Sequence, residues 1–359
     1  MSILTEYGAG ERQYREADLW PERHLGRVVS QYTNLYRIVT EKGDCLAEIS
    51  GKLRYSILHQ NEYPAVGDFV LADRAEDVGG NAVIQQVLPR HSLFTRRAVG
   101  TAGETQVVAA NIDTVFLCMP LNLTRNPSRM ERYLSVAWDS GAVPVVLLTK
   151  ADLCDNLEEV VTEMMALAPG TDVVTTSDRD GETREKLLPY LGSGQTVAFI
   201  GPSGVGKSTL INLLMGGERM ETGAVRQDGK GRHTTTRREL LLLPSGAMVI
   251  DTPGMRELGA DSVDLSKSFA DIDALADGCR FGDCTHTKEP GCAVLAAVQA
   301  GTLDLRRLEN YRKLKREARY DGLNAKQLEQ DKLNGMFREV GGMKNVRKYI
   351  RDTDKRKGE

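Results

Sequence analysis

Gly201-Pro202-Ser203-Gly204-Val205-Gly206-Lys207-Ser208, entered from the apolar run Thr196–Ile200, decides the reading of this chain. It fits the pattern G-x-x-x-x-G-K-[ST] in full, in the strand-then-loop setting that gives the pattern meaning. The glycines let the backbone turn its N–H groups inward around phosphate oxygens. Lys207 then reaches the β- and γ-phosphates, Ser208 is placed to ligate Mg²⁺, and Thr209 comes next in the same cradle. A glycine-rich turn that only caps a helix over 207–215 would need neither the Lys-Ser pair nor the apolar strand before it. The segment is therefore expected to bind a nucleoside triphosphate.

The base is addressed by Thr149-Lys150-Ala151-Asp152, which comes after the apolar run 143–148. This resembles the guanine-specificity element N-K-x-D of GTPases, with Thr149 where Asn is usual. A carboxylate at Asp152 can accept from both N1–H and the exocyclic amine of guanine, whereas adenine would leave that charge unpaired. The competing explanation is that Asp152 only caps a helix. Its place after a predicted strand, where α/β sheets bind ligands, favours base recognition.

A third element, Asp251-Thr252-Pro253-Gly254, stands after two strand-like segments, 239–243 and 247–250, that read as a hairpin. It matches D-x-x-G, in which the Asp reaches Mg²⁺ through water and the Gly N–H senses the γ-phosphate. Ordinary GTPases run phosphate loop, D-x-x-G, N-K-x-D, but here the base-reading motif precedes the phosphate loop. The domain is expected to be circularly permuted. Permutation makes the chain leave the nucleotide domain directly after its γ-phosphate-dependent loop, so hydrolysis could reorient the C-terminal region.

That C-terminal region carries Cys279-x4-Cys284-x-His286-x5-Cys292. Three thiols and one imidazole suit a closed tetrahedral structural zinc site, one that folds a module and performs no chemistry. A disulfide framework is the alternative. No secretory signal is read at the N-terminus, and Cys45, Cys118 and Cys154 lie scattered elsewhere, which favours zinc and a reducing, cytoplasmic compartment.

Taken in order, T-K-x-D, G-x-x-x-x-G-K-S, Gly231-Arg232-His233-Thr234-Thr235-Thr236, D-T-P-G and C-x4-C-x-H-x5-C resemble the RsgA (YjeQ) family of permuted GTPases, over about residues 25 to 320. The resemblance implies an N-terminal OB-fold, a permuted GTPase domain and a C-terminal zinc domain. It implies a GTP phosphohydrolase that acts in late maturation of the 30S ribosomal subunit, with 16S rRNA as a partner. The corresponding boundaries are an extension over 1–24, a barrel over 25–110, the GTPase domain over 111–265, a zinc-binding and helical domain over 266–351, and a disordered tail over 352–359. A monomer is expected.

The remaining residues agree with a multidomain α/β reading. Short strand-like segments between residues 25 and 97, divided by Gly, Asn and Asp turns, read as a small β-barrel, although pattern alone does not separate an OB barrel from an SH3-like one. Lys52, Arg54, Arg90, Arg96 and Arg97 could track a nucleic-acid backbone or be ordinary solvated charges. Strand-like runs at 112–118, 143–148, 171–175 and 196–200 alternate with helical patterns at 128–139, 155–167 and 182–191, which predicts a mostly parallel sheet covered on both faces. Thr176-Ser177 is a weak candidate for the element that closes over the base.

Net charge is −3 for the 359 residues, but the distribution is uneven. Residues 306–359 hold 17 Lys or Arg against 9 Asp or Glu, a local +8, and the preceding chain holds 30 against 41, or −11. A basic segment on an acidic body is the footprint of a nucleic-acid contact, for which Arg312, Lys313, Lys315 and Arg316 are the candidates. Leu305, Leu308, Tyr311 and Leu314 recur at helical spacing and should pack on the zinc module. No apolar run approaches the ~18 residues of a membrane helix.

The water-placing Gln expected after D-x-x-G is replaced by Met255. His233 is the candidate for that task, with Thr235 on Mg²⁺ and Lys207 on the transferred phosphate. His233 could equally belong to a basic run with Lys230, Arg232, Arg237 and Arg238. Without the Gln, hydrolysis should be slow until a partner orders the loop. A permuted GTPase serving another ribosomal particle, and a nucleotide-gated RNA-binding module, are the rival functions.

Overall fold

In the computed structural model, which describes residues 2–32, 35–97, 105–121, 126–177, 179, 181–202, 204–217, 238–251 and 269–319, the chain begins with two short helices. These are α1 (Ile3–Glu6), capped by the Ser2 hydroxyl, and α2 (Glu11–Asp18). They anchor the extension, because Leu4 and Ala9 are buried with Leu25, Phe69, Leu71 and Leu88 of the adjoining domain.

That domain is a closed barrel of β1 (His24–Gln31), β2 (Tyr36–Thr40), β3 (Gly43–Ile49), β4 (Phe69–Ala72) and β5 (Ala82–Val87), with α3 (Gly51–Ser56) between β3 and β4. Its order is β1-β2-β3-β5-β4, and β4 pairs back to β1. Antiparallel meander pairs, a parallel β3–β5 pair and a helix before β4 make this the five-stranded Greek-key OB barrel, the distinction the sequence pattern left open. Val28, Ile38, Cys45, Val70 and Ile84 fill the interior. Asp68 at the start of β4 is fully buried and Arg90 is bound to it. Arg90 Nε lies 2.7 Å from Oδ1, Nη2 2.7 Å from Oδ2, and the remaining donors reach the carbonyls of Asn61 and Tyr63. Arg90 is thus a structural arginine rather than a solvated or nucleic-acid-tracking one, whereas Lys52 and Arg54 are exposed on α3.

A hairpin of β6 (Leu93–Arg97) and β7 (Thr105–Ala110), not foreseen from the sequence, leads into the α/β domain. There β8 (Thr114–Pro120), α4 (Pro127–Ser140), β9 (Val143–Thr149), α5 (Leu157–Leu167), β10 (Asp172–Thr175), α6 (Thr183–Leu187), β11 (Thr196–Ile200) and α7 (Lys207–Met215) alternate, and β12 (Arg238–Leu242) and β13 (Met248–Asp251) form the expected hairpin. The sheet order is β10-β9-β8-β11-β13-β12, all parallel except β12. Apolar residues cover both faces. Met130, Leu134, Ala137, Val160 and Met164 lie on one, and Leu187, Leu210, Ile211 and Leu214 on the other. Local signals set the helix limits: Asn126 accepts from Arg129 N at 3.0 Å and Pro127 opens α4, while Gly141 ends it at φ 88°.

The two domains share one sheet. A bulge between Val28 and Ser30 carries the end of β1 out to pair Ser30 with Glu239 and Gln31 with Arg238. Under this seam lies Arg27, 1% exposed. Its Nη2 donates to Thr196 Oγ1 at 2.8 Å and its Nε to the Gly67 carbonyl at 3.3 Å. Nη1 donates to the Tyr7 carbonyl and lies 3.3 Å from Met248 Sδ, and the guanidinium stacks on Phe69. Burial pushes its pKa down to about 10, so it stays charged at neutral pH. One side chain thereby ties the N-terminal extension and the barrel to the first residues of β11 and β13.

After residue 268 come α8 (Ala270–Ala276), α9 (Ala293–Gln299) and α10 (Leu305–Arg319), with a core of their own made by Phe269, Ile272, Val294, Leu308, Tyr311 and Leu314. Leu305 departs from its expected place. It is 51% exposed, since at the first turn of α10 the apolar stripe has not yet reached the core. Among the described residues no helix is long and apolar enough to cross a membrane.

Candidate functional site

The C-terminal ends of β9, β11 and β13 point to one edge of the sheet, and each carries one of the three motifs. Parallel register sets them side by side: Ala198 faces Ile250, one residue before Asp251, and Thr149 faces Pro120 on the strand between β9 and β11. This is the edge at which open α/β sheets take their ligands.

The phosphate loop leaves β11 through a constriction. A Cβ on Gly201 would stand 2.7 Å from the Cys118 carbonyl oxygen and 2.9 Å from Cys118 Cβ, so the close approach excludes any side chain. Gly206 has φ 105° and caps α7, which presents the backbone N–H groups of its first turn, including those of Ser208 and Thr209, to the loop. Val205 is buried. Lys207 is 9% exposed, with Nζ turned into the loop to donate to the carbonyls of Gly201 at 2.6 Å and Pro202 at 2.7 Å. The ammonium is therefore already stationed inside the cradle.

Thr149 makes a bond that its sequence position did not announce. Its Oγ1 donates to the Val205 carbonyl at 2.7 Å, which joins the loop after β9 to the glycine-rich loop after β11. Lys150 comes next, in the left-handed region at φ 59° and ψ 42°, a conformation that non-glycine residues hold only where surrounding contacts enforce it. Those contacts come from the next strand's loop. Ala151 N donates to the Thr176 carbonyl at 3.0 Å, and Ser177 Oγ donates to Asp152 Oδ1 at 2.7 Å. Thr183 Oγ1 in turn holds the Ser177 carbonyl at 3.0 Å, and Arg179 Nε lies 3.6 Å from Asp152 Oδ2. Asp152 sits within a 3₁₀ turn, not at a helix cap, and its carboxylate is oriented by a neighbour. Thr183 was missed in the sequence, where a Thr six residues after Ser177 gives no local signal. Ser203, Thr252, Pro253, Gly254 and Met255 lie outside the described residues, as do His233 and Thr235.

In the C-terminal module Cys279, Cys284, His286 and Cys292 bring their ligand atoms within 4.8 Å of one another. Cys279 Sγ is 3.6 Å from His286 Nδ1 and 3.8 Å from Cys292 Sγ, and Cys292 Sγ is 3.5 Å from His286 Nδ1. Tetrahedral zinc with Zn–S of about 2.3 Å requires sulfur atoms about 3.8 Å apart, so the donor set fits that ion. None of the six cysteines is paired in a disulfide here. His286 has φ 57°, and the turn around it is braced by Glu289, which accepts from the backbone N–H of Thr285 (2.9 Å), Thr287 (2.8 Å) and Lys288 (3.0 Å). The bond from the Thr285 hydroxyl, and after it these backbone donors, holds the Glu289 carboxyl well below the usual carboxylate range. Cys292 also caps α9 by accepting from Leu295 N at 3.4 Å. Lys313 and Lys315 are exposed on α10 and Arg312 is half-buried, while the side chain of Arg316 is outside the described residues.

The RsgA GTPase family model matches residues 87–261. The chain is 49% identical over 341 residues to the small ribosomal subunit biogenesis GTPase RsgA 2 of Lactiplantibacillus plantarum, covering 94% of this chain and 96% of that one. It is 46% identical to RsgA of Opitutus terrae, over 82% of this chain and 83% of the relative. Among solved structures, YjeQ from Thermotoga maritima superposes with a TM-score of 0.61 at 30% identity, over 82% of this chain and 98% of that one. YloQ, described as a circularly permuted GTPase, has the same fold at a TM-score of 0.54 and 24% identity, over 83% and 95% of the two chains. The chain belongs to the RsgA family of GTPases.

Proposed function

We propose that this protein hydrolyses GTP while bound to the small ribosomal subunit and assists that particle's late maturation, turning over slowly alone and faster on the subunit. The observation that carries the reading is the joined pair of loops at one sheet edge, with the Asp152 carboxylate held by Ser177 and the phosphate loop held by Thr149. In this reading Asp152 accepts from guanine N1–H and the exocyclic amine, and rejects adenine because the carboxylate would be left unpaired. Lys150 and the backbone from Gly201 through Thr209, Ser203 included, surround the nucleotide. Lys207 exchanges the Gly201 and Pro202 carbonyls for phosphate oxygens. The Ser208 hydroxyl and Thr235 are hard oxygen donors that would hold Mg²⁺, with the Asp251 carboxylate reaching it through water, and the ion would supply charge neutralisation across the β- and γ-phosphates. Gly254 senses the γ-phosphate and His233 places the attacking water. Cys279, Cys284, His286 and Cys292 would hold one structural zinc. The barrel over 25–110, the GTPase domain over 111–265 and the metal module over 266–351 are the working units, acting as a monomer in the cytoplasm on a particle whose 16S rRNA meets the basic α10.

The test is GTP turnover by the full chain with purified 30S or 50S particles. Stimulation by 30S of about 10³-fold or more, with little from 50S, is expected. Equal stimulation by 50S would point to another particle. Met255 favours one further reading, a nucleotide-gated RNA-binding module, which predicts GTP-dependent RNA binding with no phosphate release under either condition.

A further inference from the structure

The two joints around the nucleotide domain are built differently. The barrel joins through a continuous sheet and the buried Arg27. The C-terminal module shares no apolar cluster with the nucleotide domain among the described residues, and meets it instead through Glu131. Glu131 lies on α4, 4% exposed, with Oε1 2.9 Å from Arg307 Nη1 and Oε2 bonded by the side-chain amide of Asn310. Arg307 and Asn310 are three apart on α10 and so share a face. The Arg307 guanidinium is held in place from within the module, by two bonds to Asp271 at 2.7 and 2.8 Å and by stacking on Phe269.

Open clefts lie on both sides of the contact, one of about 280 Å³ bounded by Ala166, Pro169, Asp271, Leu303 and Arg307, and a smaller one of about 30 Å³ beside Glu131, Trp138 and Arg307. Burial, with the Asp271 carboxylate adding to it, pushes the Glu131 carboxyl up against the opposing pull of Arg307 and Asn310, so the contact is made at a desolvation cost. A polar contact between units with separate cores is the kind that opens and closes.

We infer that Glu131 is a catch: it clasps the C-terminal module to α4 in this conformation, and the module swings free when the contacts to Arg307 and Asn310 break. Position gives the catch its purpose. The chain passes to the module after β13, which ends in Asp251, and α4 leads into β9, which ends in Thr149. Both connections therefore run from strands whose ends carry the nucleotide motifs. Neither the ribosomal partner nor the catalytic residue enters this device.

Spin labels carried by unnatural residues at exposed Val143 at the start of β9 and exposed Gln299 at the end of α9 would read the separation in the metal-loaded chain. One narrow distance is expected for the parent chain with GDP. Glu131→Ala should raise the longer, broad population about tenfold or more, within the usual range of coupling between sites. Arg307→Met should act in the same direction, and the double variant should show less than the sum of the two single effects, because both changes remove the Glu131–Arg307 pair. Bound metal is measured in each sample. An unchanged narrow distance in Glu131→Ala, additive effects in the double variant, or loss of metal from either single variant would overturn the catch, the last by assigning the contact to folding of the module.

Discussion

The hydroxyl of Thr149 donates to the carbonyl of Val205 across 2.7 Å, so the residue that ends β9 also holds the loop that runs from β11 to α7. Both groups are buried, and an acceptor left alone there would cost about 1–3 kcal/mol. Thr149→Val keeps the shape and removes the donor. It should weaken GTP and GDP alike, by roughly tenfold, whereas Thr149→Ser should stay within about threefold of the parent. Titration with a fluorescent guanine nucleotide measures both. A Thr149→Val protein that binds as tightly as Thr149→Ser would show that the bond does not support the cradle.

Selection of the base should depend on Asp152 directly and on Ser177 through it. Asp152→Asn turns an acceptor into a donor facing guanine's own donors, which should cost GTP affinity by about 100-fold or more, while a purine with a carbonyl in place of the exocyclic amine should gain. Ser177→Ala leaves the carboxylate present but unoriented, a smaller loss of about 5- to 10-fold with the guanine-over-adenine preference reduced. Competition between GTP, XTP and ATP on each variant separates the two roles. Unaltered discrimination in Asp152→Asn would remove this residue from base recognition.

These two relations show where the sequence stopped being legible. The three motifs, their strands and the permuted order could be read because each is a local pattern: a glycine spacing, an apolar run, a hairpin signal. The OB barrel could not be told from its alternatives because the parallel pairing of β3 with β5 joins residues more than thirty positions apart and leaves no periodic trace. Arg90 was readable only as one more basic residue, since nothing local says that Asp68 is buried beneath it. For the same reason Arg27 gave no signal at all, although it touches Tyr7, Gly67 and Phe69, Asn111, Thr196 and Met248, five separate parts of the chain. The Cys/His cluster was readable because four side chains of metal-ligand chemistry fall within fourteen positions, and the structure brings their donor atoms within 4.8 Å of one another.

Arg27 should be the residue on which the union of barrel and nucleotide domain depends. Replacing it by Met keeps apolar bulk against Phe69 and strands Thr196 Oγ1 and the Gly67 and Tyr7 carbonyls. At about 1–3 kcal/mol for each acceptor left unpaired, the melting temperature should fall by at least about 5 °C. Gly8→Ala should mimic part of the loss, because a Cβ there would lie 2.6 Å from Arg27 Nη1 and 2.5 Å from the Gly194 carbonyl at φ 78°. Calorimetry on the two variants decides the matter. A melting temperature unchanged in Arg27→Met would mean that the sheet seam alone unites the domains.

Removal of the metal should unfold one module and spare the other. The cluster around Phe269, Leu308 and Tyr311 is separate from the core beneath the nucleotide site, and Cys279, Cys284 and Cys292 pack against or within it. Ligation energy is therefore folding energy for α8 to α10 and for little else. With a strong chelator, proteases should cut within residues 269–319 while guanine nucleotide affinity stays within about threefold, since among the described residues the cluster and the core beneath the nucleotide site are separate. Glu289→Ala should give a graded version of the same effect. It frees the N–H groups of Thr285, Thr287 and Lys288 that shape the turn around His286, and loss of such outer support costs metal affinity by about 10- to 100-fold. Competition with a metallochromic dye reads that change. If chelation instead abolishes nucleotide binding in step with metal loss, the centre is coupled to the cradle itself, and the separate-core account of the module fails.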